Sequence, residues 1–140
     1  MVIGSALFGL VRALDPVPAY RLSPDSTLPG LPLRRHWAPV GASALAACAG
    51  DELVLDLRSE AYVALAPAPA GSWFVRVVSE DGAGRRRALN HFNKHGKGVV
   101  VRRLLEAGID HAGLASLTAW TDAHGIRLEP GAPGELELVV

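Results

Sequence analysis

Between Gly82 and Leu105 the chain has no aspartate or glutamate. The same stretch holds Arg85, Arg86, Arg87, Lys94, Lys97, Arg102 and Arg103, seven of the fourteen lysines and arginines. Clustered guanidinium and ammonium groups recognise phosphate, as do free backbone amides at the start of a helix. "NKHGKG" (93–98) stands directly before the apolar run "VVV". Its glycines let a backbone approach a ligand, and a helix opening near Gly98 would aim the positive end of its dipole outward. This reads as a polyanion grip. Lys94, Lys97, Arg102 and Arg103 would neutralise phosphate, and the amides around Gly98 and Gly108 would cradle it. No G-x-x-x-x-G-K-[ST] is present, so it is not a P-loop. The competing reading is a solvated surface, with Arg85–Arg87 guarding a hairpin edge and Arg102 and Arg103 on the outer face of an amphipathic helix.

Other chemistry is sparser. His91 and His95 are four apart but fall where a strand and loop are expected, and His36, His111 and His124 have no ligand-like spacing, so no metal site is expected. The single cysteine, Cys48, allows no intrachain disulfide and reads as a buried thiol. Ser59, His91 and Asp56 make a nucleophile set only on paper, with no G-x-S-x-G around the serine. Ser59 reads better as a helix cap and Asp56 as the polar end of a strand.

The elements that must position these residues follow from pattern. A neutral chain of 140 residues with 49% apolar and 20% charged residues suits one domain with its own core. Zero net charge predicts no partner by itself, so attraction to an anion must come from local clustering. No apolar run reaches spanning length, and "VIGSALFGL" reads as structure rather than as a signal. "VIGSALFGL" fits a buried strand or a helix. The proline-punctuated stretch 15–32 reads as an extended connection. A helix is expected over 33–49 with Pro39 near its first turn, a strand at "DELVLDL", and a short helix after Ser59. "SWFVRVVSE" and "RRRALNHF" around "DGAG" form the clearest hairpin. Helices follow from near Gly98 to Ala107, stopped by Gly108, and through Leu114, Leu117 and Trp120, stopped by Gly125. "IRLE" and "ELELVV" are terminal strands. The class is therefore mixed, α+β or α/β, with a central mixed sheet, a β-hairpin and a helical hairpin near the C-terminus. The turn Ala107-Gly108-Ile109 is similar to that of helix–hairpin–helix modules, whose turn amides hold a phosphate without reading bases.

Three stretches occur in order: "SALFGLVRALDPVPAYRL", "DLRSEAY" and "KHGKG". Together they resemble the YaaA-type peroxide-stress-resistance family, whose members show S-x-L-[YF]-G-L-[LV]-R-x-x-D-x-[IV]-x-x-Y-R-L, a serine three before a tyrosine, and K-x-x-[RK]-G before a helix. The resemblance covers nearly the whole chain. It implies a cytoplasmic protein of peroxide defence, associated with limiting free iron and with binding double-stranded DNA through a positive cleft. It brings no established reaction and no cofactor. Tyr20 and Arg21, Ser59 and Tyr62, and Lys94, Lys97 and Gly98 match the motifs and would line the common cleft. Two features depart from the family. Ala61 stands where many members have glutamate, which removes any proton-transfer role for that group. A family N-terminal portion opening on a "PPSEGK"-like motif is missing, so the chain is expected to be a shortened single domain with an uncovered sheet edge through which copies could associate.

The favoured expectation is non-catalytic: Lys94, Lys97, Arg102 and Arg103 meet duplex DNA without reading sequence. The alternative is an enzyme or binder of a small phosphorylated or nucleotide-like ligand, held by Tyr20, Arg21, Ser59, Tyr62 and Lys94. Direct iron handling ranks last, because carboxylates and histidines do not cluster.

Overall fold

Apolar residues recur at every second position in "VRVV" and "ELELV", and at helical spacing in "VVVRRLL" and "LASLTAW". Such stripes must be buried against one another, which sets a sheet-and-helix architecture. The computed structural model describes residues 1–89 and 93–140. Among the described residues the order is β1 (Val2–Ser5), β2 (Gly9–Arg12), α1 (Leu33–Ala49), β3 (Leu55–Asp56), α2 (Glu60–Leu65), β4 (Trp73–Glu80), β5 (Arg86–Ala88), α3 (Asn93–Ala107), α4 (Leu114–Ala123), β6 (Leu128–Pro130) and β7 (Glu135–Val139). The mixed α+β class is as expected. The chain divides into two units, one of Met1–Gly50 with Arg58–Ala70, the other of Asp51–Leu57 with Gly71–Val140.

The second unit holds a mixed sheet in the order β3-β4-β7-β6, with β5 added beside β4. β3 and β7 run parallel to β4, whereas β5 is antiparallel to β4 and β6 to β7. The expected hairpin of β4 and β5 is present, registered Glu80↔Arg86 to Val78↔Ala88. Val75, Val77, Leu136, Leu138 and Leu128 from the strands meet Val100 of α3 and Leu117 and Trp120 of α4 in one core. Gly108 (φ 60) and Gly125 (φ 67) end α3 and α4 in left-handed conformations, as the sequence predicts.

The first unit is smaller. β1 and β2 form a two-stranded antiparallel hairpin, closed by Ser5↔Gly9 with Gly9 at φ 74. This replaces the strand-into-loop or helix expected for "VIGSALFGL", and among the described residues it adds a two-stranded sheet to the central mixed sheet expected. The Ser5 hydroxyl shapes the turn by accepting the amides of Leu7 (3.2 Å) and Phe8 (2.8 Å). α1 carries Pro39 inside it. It packs on α2 at Gly41, where an added Cβ would lie 2.5 Å from that of Ala66. Residues 15–32 have no helix or strand beyond an isolated Leu28↔Leu31 bridge, as the prolines predict. Cys48, expected to be buried, is exposed.

Candidate functional site

The largest difference from expectation is where α3 begins. It starts at Asn93, five residues before Gly98. Lys94, Lys97 and Gly98 are therefore helical residues, not a joint ahead of a helix. Gly98 is the sixth residue of α3, so its amide belongs to the intrahelical ladder and not to the free first turn. The Gly108 amide is also engaged, donating to Leu104 O at 3.2 Å. Neither glycine offers the open amide expected of it. Gly96 has a different purpose. A Cβ there would meet Val140, Leu138 and Val77 at 3.3–3.5 Å, so the missing side chain lets α3 lie close on β4 and β7.

The helix presents two faces. Gly96, Lys97 and Val100 are buried. Lys94, His95, Gly98, Val99, Arg102 and Arg103 are exposed. Lys94, Gly98 and Arg102 lie four apart along one row, and His95, Val99 and Arg103 along the next. The outer face is basic until Glu106, which binds Arg102 Nε at 2.8 Å in an exposed pair. Such a pair is worth little, so the arginine remains available to a stronger anion. Arg103 donates from Nη1 to the backbone oxygen of His124, the C-cap of α4, at 3.0 Å.

Lys97 differs from Lys94. It is 8% exposed and its ammonium sits 4.8 Å from the centre of the Phe74 ring. The stem covers apolar surface while the charge faces the ring's negative π cloud. Phe74 pairs in register with Asp56 of β3 on one side and Glu135 of β7 on the other. Asp56 is itself buried, and the Arg76 guanidinium also faces Phe74, at 5.4 Å. Arg76 forks onto Glu135, Nε to Oε2 at 2.9 Å and Nη2 to Oε1 at 2.8 Å, holding that carboxyl below its ordinary range. Phe74 carries no motif signal as a binding residue, and only the packing of α3 on β4 brings it to Lys97.

The three hairpin arginines separate as well. Arg85 pairs with Asp81 at 2.9 Å. Arg86 donates to Glu80 (2.8 Å), to Glu137 (2.7 Å) and to Glu129. Arg127 adds a second cation, 3.0 Å from Glu80. Hydrogen bonds from Arg127 and Arg86 pull the Glu80 carboxyl down to about 2, and Glu129 is lowered by the same two arginines. The acid-free segment is thus partly neutralised by glutamates from β4, β6 and β7, and Arg86 is structural. Arg87 is exposed.

In the first unit, Tyr20 Oη lies 2.7 Å from Ser5 Oγ, and its ring meets Phe8 edge-on at 5.5 Å. Ser5 Oγ thus hydrogen-bonds Tyr20 Oη as well as accepting the two turn amides. Burial, with the neighbouring Tyr20 phenol, pushes the Tyr62 phenol up. Arg21 is exposed. Ser59 is the N-cap residue of α2, but its side chain makes no capping bond. A crevice within this unit, lined by Trp37, Gly41, Arg58, Tyr62 and Leu65, has a free volume of about 10 Å³, room for about one water. Tyr20, Arg21 and Ser59 do not line it. His91 lies outside the described residues. Among those described, no group of three histidine, cysteine or acidic side chains could hold a metal ion. No described helix is long and apolar enough to cross a membrane.

A mixed α+β protein with one basic helix face and a buried lysine beneath it is the class these features define. The profile of the peroxide stress protein YaaA family matches residues 1–130, and the chain belongs to that family. It is 46% identical over 109 residues to a UPF0246 protein of Corynebacterium efficiens, covering 74% of this chain and 43% of that one. A Streptomyces coelicolor UPF0246 protein is 41% identical over 138 residues, 96% of this chain and 53% of its own. One from Corynebacterium glutamicum is 36% identical over this whole chain and 59% of its own. The chain thus spans about half the length of the curated relatives it matches.

Proposed function

We propose that this peroxide stress family member acts in the cytoplasm without catalysis, by holding the phosphate backbone of duplex DNA on the outer face of α3. The observation that carries the reading is the exposure of Lys94, Arg102 and Arg103 on one helix face, with no acid before Glu106. Lys94 and Arg102 are eight residues apart, about 12 Å along the axis, a span over which a backbone offers several phosphates. Charges on one helix face that meet phosphates rather than base edges favour sequence-tolerant binding. Protection of DNA against iron-driven damage would follow from occupancy rather than from a bound metal. Replacing Lys94, Arg102 and Arg103 together by alanine should lower affinity for a labelled duplex at least tenfold, equally for unrelated sequences. Unchanged affinity sinks the reading.

A second reading has its own observation. Lys97 is buried beside Phe74, a place suited to a small phosphorylated or nucleotide-like ligand rather than a duplex. Lys97→Met separates the two. DNA affinity should persist in that variant if the outer face is the contact, whereas binding of a small phosphorylated ligand should be lost if the buried lysine holds it.

A further inference from the structure

Five histidines stand in the sequence, and the duplex reading above uses none of them. Among the described residues three have local partners. The His36 ring meets Trp37 edge-on at 4.6 Å. His111 Nδ1 lies 3.1 Å from Ser116 Oγ. The His124 ring stacks on Trp120 at 4.3 Å, with its Nδ1 2.8 Å from Trp120 O. His95 differs. It is exposed, and among the described residues no hydrogen bond, ion pair or ring contact engages its side chain. It sits on the outer face of α3 beside Lys94, in the row that leads through Val99 to Arg103, about 12 Å along the axis.

Histidine ordinarily gains a charge between about pH 8 and about pH 5, and the imidazolium donates from both ring nitrogens. Beside a phosphate it makes a charge-assisted hydrogen bond that the neutral ring does not. We propose that His95 is the pH-responsive member of the basic face, taking up a proton as α3 meets phosphate, so that duplex binding tightens as pH falls. The inference rests on the duplex reading and adds regulation to that site. Its sign follows from linkage. A proton that favours binding is itself favoured by binding, so affinity rises on acidification and levels off once the free protein carries the proton too.

The charges around His95 come from each packed element. On α3 they are Lys94, Arg102 and Arg103, with Glu106 farther along and paired to Arg102. On the buried side, Val140, which carries a carboxyl, lies against Gly96, and the Lys97 ammonium faces Phe74. From α4, the His124 backbone oxygen holds Arg103. All of these remain when His95 alone is replaced, so a difference between variants reads His95.

The test titrates the intact chain with a labelled duplex at about pH 8 and about pH 5.5, at matched ionic strength, beside His95→Gln and His95→Lys. On acidification the unaltered chain should gain about fivefold more affinity than His95→Gln, and its salt slope should steepen by about 0.9. His95→Lys should bind at the higher pH as the unaltered chain does at the lower, because lysine is charged at both. Equal gains in the unaltered chain and His95→Gln overturn the proposal and leave the duplex reading standing. So does His95→Lys binding no tighter than the unaltered chain at the higher pH. An unaltered chain that binds the duplex at neither pH overturns the duplex reading, and this inference with it.

Discussion

The two units bury their apolar residues very differently. In the second, Val75, Val77, Leu117, Leu128, Leu136 and Leu138 are all at most 3% exposed, sealed between a five-stranded sheet and two helices. In the first, the fully packed cluster is Ala6, Leu33 and Leu65, while Met1, Val2, Ile3, Leu7 and Phe8 are 40–63% exposed. The difference lies in topology rather than composition. A parallel pair on each side of β4 lets one strand be covered twice, whereas a lone hairpin has one neighbour and two edges. Stability should therefore concentrate in the second unit, and the first should open more readily.

The largest effect expected is at Leu136, which is 0% exposed. Leu136→Ala should cost about 3–5 kcal/mol in denaturant unfolding, because the sheet cannot collapse onto the void. Leu33→Ala in the first unit should cost less, about 2–3 kcal/mol, since fewer elements surround it. Equal costs would erase the contrast between the units.

Acid comes next. Glu80 is held down to about 2, and Glu129 and Glu135 are also lowered. A carboxyl with a depressed folded value adds stability above its unfolded value, about 4.3, and loses it as pH falls through the folded one. Stability should fall steeply between about pH 4.5 and pH 2. Arg86→Gln should flatten that fall, and an unchanged acid profile would show the cluster to be decorative.

The smallest effects sharpen the reading of α3. Nothing lies within 4 Å of a Cβ added at Gly98, so Gly98→Ala should stabilise by about 0.5–1 kcal/mol. Gly96→Ala should lose that gain, because its Cβ presses on Val140 at 3.3 Å. If both variants stabilise alike, α3 does not rest on the sheet as described.

These glycines also show what the sequence could and could not reveal. The helix ends at Gly108 and Gly125 were legible, because a left-handed terminus selects glycine locally. The β4–β5 hairpin and β7 were legible from alternation. The start of α3 was not. Two glycines and a lysine-rich run resemble a loop, and only the close approach of Gly96 to β4 and β7 makes them helical. Lys94 and Lys97 looked equivalent in "KHGK". Three residues of helical rotation send one to solvent and the other over Phe74. Arg86 looked like its neighbours, since Glu129 and Glu137 stand 43 and 51 residues away in sequence. Local pattern finds caps and periods, whereas partners joined by strand pairing require the fold.

The salt dependence of duplex DNA binding tests the central claim most directly. With Lys94, Arg102 and Arg103 each displacing counterions from one phosphate, log affinity should fall against log salt with a slope of about −2.7. Lys94→Ala should make that slope shallower by about 0.9, while Lys97→Met leaves it unchanged. A slope that Lys97→Met alters and Lys94→Ala does not, or no binding at low salt, would contradict a phosphate contact on the outer face of α3.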